Sequence, residues 1–284
     1  MHISEFITID LLQKSLLFQQ KRLSMKKSIF NVIFLLFCSV VSSAGFAQDL
    51  FDKNEPVAFT FLQKIQPGQS VGGYPILNFG NEWSLFHAKT GKPTNSPYLG
   101  NVSAADIRDG KLYAMLDMVG NLEVNNAGDW TDEPCKRNDY LWKKGEGFRN
   151  INCVTINHHT KFFTAPTGEF QQYLVKFREM KLDIPPTVLR VEFTRYSNSG
   201  RRLVYKVTIN PEMFGFERDN EPIWGANSWH KSFVEKDPKK VAFIAALSKW
   251  AESVRDKMDN GFDKKMDAFS SVPPLSSFLK PVEG

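Results

Sequence analysis

The sequence predicts an α+β fold in which an antiparallel sheet of short strands and hairpins packs on two helices, with one disulfide. Three observations predict it: residues 189–209 alternate in polarity over two strands, an Asp-Gly pair separates two further strand-like stretches, and two segments carry apolar side chains at helical spacing. The chain has 284 residues, of which 42% are hydrophobic and 24% charged. This composition excludes disordered and collagen-like proteins.

Short apolar stretches predict the first strands of the region that begins at residue 48. They are Val57–Leu62 and Trp83–Phe86, and turns are expected at Pro67-Gly68, Gly72-Gly73 and Gly80-Asn81. Asp109-Gly110 lies between Ser103–Arg108 and Lys111–Met118. An Asp-Gly pair between two strand-like stretches is a strong hairpin signal, because both turn positions need a positive φ.

The clearest strand pattern lies between the two predicted helices. Apolar side chains alternate with polar ones from Leu189 to Thr194, residues 197–200 turn the chain, and a second alternating stretch runs from Leu203 to Ile209. The pattern predicts an antiparallel hairpin. We expect one face of its sheet to pack on helices and the other face to meet solvent, as is common in α+β domains.

Two helices are predicted from apolar spacing and from their terminal residues. The first covers about Gly168 to Met180, with Thr167 as N-cap; its apolar stripe is Phe170, Tyr173, Leu174, Phe177 and Met180. The second has Asp237 as N-cap and Pro238 as its first residue, and Asn260-Gly261 is expected to end it. Its predicted apolar face is Val241, Ile244, Ala245, Ala251, Val254 and Met258.

Residues 25–47 have the pattern of a secretory signal peptide. Two lysines precede an apolar run, Ile29–Val41, and small residues precede a cleavage site before Gln48 or, alternatively, after Ala44. The apolar run is shorter than the roughly 20 residues that cross a bilayer, which argues against an uncleaved anchor. Residues 1–24 are interpreted as a mis-assigned start, with a cytoplasmic extension as the alternative. Residues 48–284 then form a single exported domain in the periplasm or outside the cell.

Two cysteines remain after the predicted cleavage, Cys135 and Cys153, with 17 residues between them. In an oxidising compartment an even pair predicts a disulfide. Such a bridge would pin the polar loop over residues 120–150 to the strand expected at Ile151–Asn157. The alternatives are a cysteine nucleophile served by His158 or His159, or a thiolate metal site, but metal sites usually bring Cys-x-x-Cys pairs.

Candidate ligand contacts come from one histidine pair and one aromatic loop. His158 and His159 are adjacent on a predicted strand and so point to opposite faces, which prevents both from binding one metal ion. The loop Trp224–His230 contains Trp224, Trp229 and His230. It is predicted either to line a ligand groove or to form a flap whose tryptophans cover the sheet. No metal or cofactor is expected.

Acidic and basic pairs elsewhere are interpreted as structural. Asp132 and Glu133 are neighbours before Cys135, where a turn or capping role fits better than acid and base catalysis. The basic pairs Arg201-Arg202 and Lys239-Lys240 lie among acidic residues and are expected on a solvated surface. Phosphate-loop, nucleophile-elbow and zinc-protease motifs are not found in the sequence.

The net charge of +5 does not indicate a nucleic-acid partner. Residues 1–47 hold five of the 36 basic and two of the 31 acidic side chains, which leaves 31 and 29 in residues 48–284. The region that is expected to be exported is therefore close to neutral, whereas nucleic-acid binding is generally marked by a strong basic excess.

Residues 130–211 resemble a family of secreted or periplasmic Gram-negative bacterial proteins without an assigned activity. The resemblance is carried by Trp130–Cys135, by Cys153 with Asn157-His158, by Pro185–Val191 and by Asn210-Pro211. It implies export and a single domain, and it carries over no catalytic residue.

The sequence therefore favours an exported envelope protein that binds a partner or supports an assembly without chemistry of its own. Its partner is expected to be an envelope protein or a small ligand, and no membrane span is expected after signal cleavage. The alternative is a periplasmic hydrolase that uses His158 or His230 with a nearby serine or aspartate.

Overall fold

A computed structural model describes residues 48–93, 97–123, 133–145, 150–161, 170–265 and 272–280. The chain divides into two compact units, Met1–Phe46 and Ala47–Gly284, and the described residues all belong to the second. The predicted start and signal peptide, Trp130 to Asp132 and the predicted cap Thr167 lie outside the described residues.

The described residues form twelve strands: β1 Phe51–Asp52, β2 Glu55–Pro56, β3 Gln63–Lys64, β4 Ser70–Val71, β5 Tyr74–Pro75, β6 Ser84–Gly91, β7 Leu99–Arg108, β8 Lys111–Asn121, β9 Trp142–Lys144, β10 Asn152–Thr160, β11 Thr187–Tyr196 and β12 Arg202–Ile209. Eight of them make one antiparallel sheet in the order β3-β6-β7-β8-β12-β11-β10-β9. β1 pairs with β2, and β4 pairs with β5. The predicted α+β class is thereby confirmed.

The helices are α1 Glu133–Lys136, α2 Phe170–Glu179, α3 Lys231–Val234 and α4 Pro238–Phe262, with 3₁₀ turns at Pro211–Phe214 and Leu275–Ser277. The predicted start of α4 is confirmed. The Asp237 carboxylate accepts hydrogen bonds from the backbone N–H groups of Lys239 (2.9 Å) and Lys240 (3.2 Å), and Pro238 occupies the first turn.

Both predicted hairpins are confirmed. Asp109 and Gly110 join β7 to β8 with φ values of 50° and 73°, which is the left-handed conformation that a two-residue hairpin turn requires. β11 and β12 pair from Leu189↔Ile209 to Tyr196↔Arg202 around the turn at residues 197–200. The chain therefore builds the centre of its sheet from two local pairings, which are then joined along β8 and β12.

The expectation that one sheet face meets solvent is wrong in part, because a helix covers some of that face. One face packs on α4, through buried side chains such as Leu116, Val191 and Val207 against Leu247 and Trp250. The other face also carries a helix, because Leu174 and Phe177 of α2 pack with Phe86, Met115 and Val188. Of the polar residues on the second face, Thr194 and Thr208 are buried, whereas Arg190, Glu192 and Lys206 are half-buried. The alternating pattern indicates an amphipathic strand but does not reveal that its polar side is partly covered.

The predicted strand at Val57–Leu62 is also wrong. Residues 57–60 are irregular, Leu62 has a left-handed φ of 62°, and only the two residues of β3 pair with β6. Phe61 contacts the α2 rings instead, 5.6 Å from Phe177 between ring centroids. A turn therefore packs this half-buried side chain against α2 where a straight strand was expected.

Two details of the helical stripes need correction. Met180 lies beyond the end of α2 and is exposed, and on α4 both Val241 and Ala245 are exposed. The buried face of α4 is instead made by Phe243, Ile244, Leu247, Trp250, Ala251, Val254, Met258, Gly261 and Phe262. Burial of Phe262 carries the helix past the predicted stop at Asn260-Gly261.

The predicted disulfide is confirmed. Cys135 of α1 is bonded to Cys153 of β10, with the two Cα atoms 5.9 Å apart. Ile151, Tyr196 and Val204 pack around the bridge as a small apolar cluster. The bridge attaches α1 to the second face of the sheet and leaves the first face to α4.

Candidate functional site

The Trp224–His230 loop is anchored to the sheet by one buried amide. The Asn227 side chain is fully buried, and its Nδ2 donates to Thr187 Oγ1 (2.9 Å) and to the Glu221 carbonyl (3.1 Å). Its Oδ1 accepts a hydrogen bond from the Trp229 backbone N–H (3.0 Å). A fully bonded buried amide of this kind fixes the loop in one position.

His158 lies under this loop and contacts two of its rings. The His158 side chain is 1% exposed, and its ring stacks on Trp224 with centroids 4.9 Å apart. His230 meets both rings edge on, with centroids 5.9 Å from His158 and 4.6 Å from Trp224. The structure thus brings together three of the four predicted contact residues, which we call the His158 cluster.

The hydrogen bonds of His158 define its protonation. Its Nε2 lies 3.0 Å from the Trp224 carbonyl oxygen, which can only accept, so Nε2 carries the proton and Nδ1 does not. Within the described residues, Nδ1 has no hydrogen-bond partner. Burial lowers the pKa of His158, the bond to Trp224 opposes this, and the neighbouring His230 lowers the pKa further. His158 is therefore neutral at neutral pH.

Trp229 serves the core rather than the surface. Its side chain is 1% exposed and contacts Phe216 and Phe243 with ring centroids 4.8 and 6.0 Å away, while Lys240 Nζ lies 4.9 Å from its ring centroid. Its ring is thus enclosed by the protein itself. This arrangement favours the interpretation of the loop as a flap.

His230 caps a short helix. Its Nδ1 lies 2.8 Å from the Ser232 hydroxyl oxygen and accepts from the Ser232 backbone N–H at 3.4 Å, at the start of α3. Among the described residues, neither His230 nor His158 has a hydrogen bond to a carboxylate. The arrangement contains a histidine and a hydroxyl, without the third, orienting group of a triad.

The second histidine of the predicted strand faces away from the cluster. β10 alternates its side chains, so His159 lies on the other face of the sheet, near the charges of Arg190 and Lys206. Burial and these positive charges lower its pKa to about 3. The expectation that the two histidines cannot share one ligand agrees with this geometry.

A groove opens beside the loop, between residues 215–219, the loop itself and the start of α4. It has a volume of about 630 Å³ and is lined by Gly215, Phe216, Glu217, Arg218, Asp219, Ala226, Ser228, Asp237, Lys239 and Lys240. We call it the charged groove. Its size lies within the range of about 300 to 1,000 Å³ that is typical of ligand sites.

Internal hydrogen bonds hold part of the charged groove in place. Lys240 Nζ donates to the Ser228 carbonyl (2.9 Å) and hydroxyl (2.7 Å). Asp219 accepts from the Ser228 backbone N–H (2.7 Å); burial opposes its ionisation, but hydrogen bonds from Ser228 and Glu221 lower its pKa. Arg218 is paired with Asp183 and Glu212. These walls are therefore preorganised before any partner binds.

Two further charges on the groove are available to a partner. The side chains of Glu217 and Lys239 are exposed, and neither forms a hydrogen bond or ion pair with another residue that the structure describes. The sequence analysis placed Lys239 on a solvated surface and did not single out Glu217. The run of charged residues Glu217-Arg218-Asp219, shortly after Gly215, could have indicated a charged binding surface. The sequence alone does not show that this run faces the start of α4.

Neither a metal-binding cluster nor a membrane-spanning helix is found within the described ranges. No group of three or more His, Cys, Asp or Glu side chains is arranged there to hold a metal ion. No helix in the same ranges is both long and apolar enough to cross a bilayer.

No match was found when the chain was compared with protein-family models, with curated proteins and with solved structures.

Proposed function

We propose that the protein is an exported envelope protein that binds another envelope protein through the charged groove and performs no chemistry itself. The observation that carries the proposal is the groove, in which fixed walls surround two unpaired charges of opposite sign, Glu217 and Lys239. A partner segment with complementary charges would gain both specificity and a faster association rate from such a surface.

The signal-like residues 25–47 and the disulfide support the placement outside the cytoplasm. Disulfides persist in oxidising compartments such as the periplasm and are rare in the cytosol. The resemblance of residues 130–211 to secreted or periplasmic Gram-negative proteins, which rests partly on the same two cysteines, agrees with this placement.

A pull-down from native periplasm tests this proposal. We expect wild-type protein to retain a specific partner, and the double variant Glu217→Lys/Lys239→Glu to retain about tenfold less, which corresponds to about 1.4 kcal/mol of binding free energy. The matched control is Lys249→Glu/Asp256→Lys, which reverses two exposed charges on α4 outside the groove. Equal retention by the two double variants would contradict the groove as the binding surface.

The second candidate is a hydrolase, and one contact favours it. The Ser232 hydroxyl lies 2.8 Å from His230 Nδ1, which is the distance expected between a nucleophile and its base. A fluorophosphonate probe distinguishes the candidates. The hydrolase predicts covalent labelling that Ser232→Ala abolishes, whereas the binding proposal predicts no labelling at Ser232.

A further inference from the structure

A second recess lies where β3 leads into residues 65–67 and where the turn over residues 78–83 enters β6. It has a volume of about 430 Å³ and is lined by Lys64, Ile65, Gln66, Pro67, Ile76, Asn78, Asn81, Glu82 and Trp83. It shares no lining residue with the charged groove. We call it the Asn81 pocket.

The wall of the Asn81 pocket is largely apolar. Ile76 and Trp83 are buried side chains of the main core, and Ile65 packs against that core from its edge. The indole Nε1 of Trp83 donates to the Leu77 carbonyl at 3.3 Å, so its polar atom is satisfied inside the protein. The pocket therefore presents carbon atoms to a ligand, as binding sites for small organic molecules usually do.

One buried polar atom in this wall has no partner. Asn81 is 4% exposed, and its Nδ2 donates to Asp106 Oδ2 at 2.9 Å. Its Oδ1 has no hydrogen-bond partner within the described part of the chain. Leaving a buried acceptor unsatisfied carries a desolvation cost, which a suitable donor would recover.

The orientation of the Asn81 amide follows from its neighbour. Asp106 also accepts from both Arg108 Nη2 (2.7 Å) and Arg108 Nε (3.3 Å), so both of its side-chain oxygens serve as acceptors. A reversed amide would place an oxygen against this carboxylate. Oδ1 must therefore be the atom that is left without a partner.

The charges around the pocket favour a neutral ligand. Lys64 and Glu82 form an ion pair at 3.0 Å across its rim, with side chains 56% and 83% exposed. Since these two lining charges compensate each other, no net charge attracts an ion. Asn81 Oδ1 is itself fully buried, so a donor reaches it only after a lining side chain moves. Gln66 is an exposed lining residue, and side-chain rotation on ligand entry is common.

We propose that the Asn81 pocket binds a small neutral molecule with an apolar body and one N–H or O–H donor, which hydrogen-bonds to the Asn81 carbonyl oxygen. The apolar wall supplies the affinity for the body of the ligand, and the unsatisfied oxygen selects for the donor. This inference stands without the proposed function, because it uses other residues and a different class of ligand.

Indole and 1-methylindole are the probes that test it. Both have the same ring system, but only indole has an N–H donor. Binding to the full chain is measured by ligand-observed NMR and by isothermal titration calorimetry. We expect indole to bind at least tenfold more tightly than 1-methylindole. Equal affinities, or no binding of indole at millimolar concentration, would overturn the proposal.

Two variants locate the site. Ile65→Glu should abolish indole binding, because it puts a charge into the apolar wall, whereas the matched control Val57→Glu should leave binding unchanged, because Val57 is exposed and does not line the pocket. Asn81→Ala should remove the preference for indole over 1-methylindole. Circular dichroism of each variant checks its folding; if Asn81→Ala does not fold, the comparison of the two probes on wild type still decides. Indole binding that survives in folded Ile65→Glu would contradict the assignment.

Discussion

His159 carries a clear pH dependence at the level of a single residue. Its pKa of about 3 in the folded chain lies far below the usual value of 6.5, because the ring is partly buried among positive charges. As the pH falls from about 6.5 towards 3, the unfolded chain takes up a proton that the folded chain does not. Through this residue the fold therefore becomes less stable as the pH falls below about 6.5, and above that pH the residue has no such effect.

We expect His159→Gln to lose less stability than wild type between pH 7 and pH 5, because glutamine does not titrate. The largest difference that one histidine can give is about 1.4 kcal/mol per pH unit, and partial exposure of the ring reduces it. Urea unfolding at the two pH values measures the difference. An identical loss of stability in both proteins would contradict the lowered pKa.

At the scale of single residues, the alternation of side chains along a strand was sufficient to predict that His158 and His159 lie on opposite faces of the sheet. It was not sufficient to place His158 beneath Trp224 and beside His230, because that contact joins residues 66 positions apart. The position of the loop depends on the Asn227 amide and on tertiary packing. Glu217 was not singled out, and Lys239 was interpreted only as a surface charge, for the same reason, since the groove exists only after the loop and α4 are packed.

At the scale of the elements, helix boundaries were more predictable than helix faces. Asp237-Pro238 is a local signal, and it correctly gave the start of α4. The buried face was predicted only in part. Val241 and Phe243 are both apolar, and a period of 3.6 residues does not decide which of them lies on the buried face. Contact with the sheet selects Phe243, Leu247 and Trp250 for burial.

Leu247→Ala should destabilise the protein by about 2 to 5 kcal/mol, because it removes a fully buried side chain and leaves a cavity against the sheet. Val241→Ala is the matched control on the same helix and should change stability by less than about 0.5 kcal/mol. The midpoint of urea unfolding measures both. A similar shift in the two variants would contradict the assignment of the buried face.

The disulfide is an element-level constraint that the sequence predicted from its cysteine count and compartment. The disulfide closes the loop between Cys135 and Cys153, and we expect this to stabilise the fold by about 3 kcal/mol because it lowers the entropy of the unfolded chain. Mass spectrometry of the exported protein, alkylated without reduction, should find neither Cys135 nor Cys153 modified. Two alkylated cysteines would show that the pair is reduced in the native protein.

At the scale of the whole molecule, local sequence patterns were sufficient to predict the fold class. They were not sufficient to predict which helix packs on which face of the sheet. The two hairpins are visible in the sequence because their turns and alternation are local. The sequence does not show that α2 and α4 cover opposite faces, since this depends on how β8 joins β12 and on where the chain crosses the sheet. Each face of the sheet consequently packs against a helix, although part of the second face stays half-buried.

This arrangement moves the candidate binding surface from the sheet to its margin. From the sequence we expected one open sheet face and a Trp224–His230 loop that either lines a ligand groove or forms a flap. Because α2 covers part of that face and Trp229 is buried, the groove beside the loop is the better supported surface. The loop contributes Ala226 and Ser228 to it.

Site-specific photo-crosslinking in the native envelope tests whether a partner protein binds at the charged groove. p-Benzoylphenylalanine is placed at position 217 in the charged groove or at position 256, which is about 26 Å along α4 from Lys239 at 1.5 Å per residue. We expect a discrete protein adduct from position 217 and none from position 256. No adduct from position 217, or the same adduct from both positions, would contradict binding at the groove.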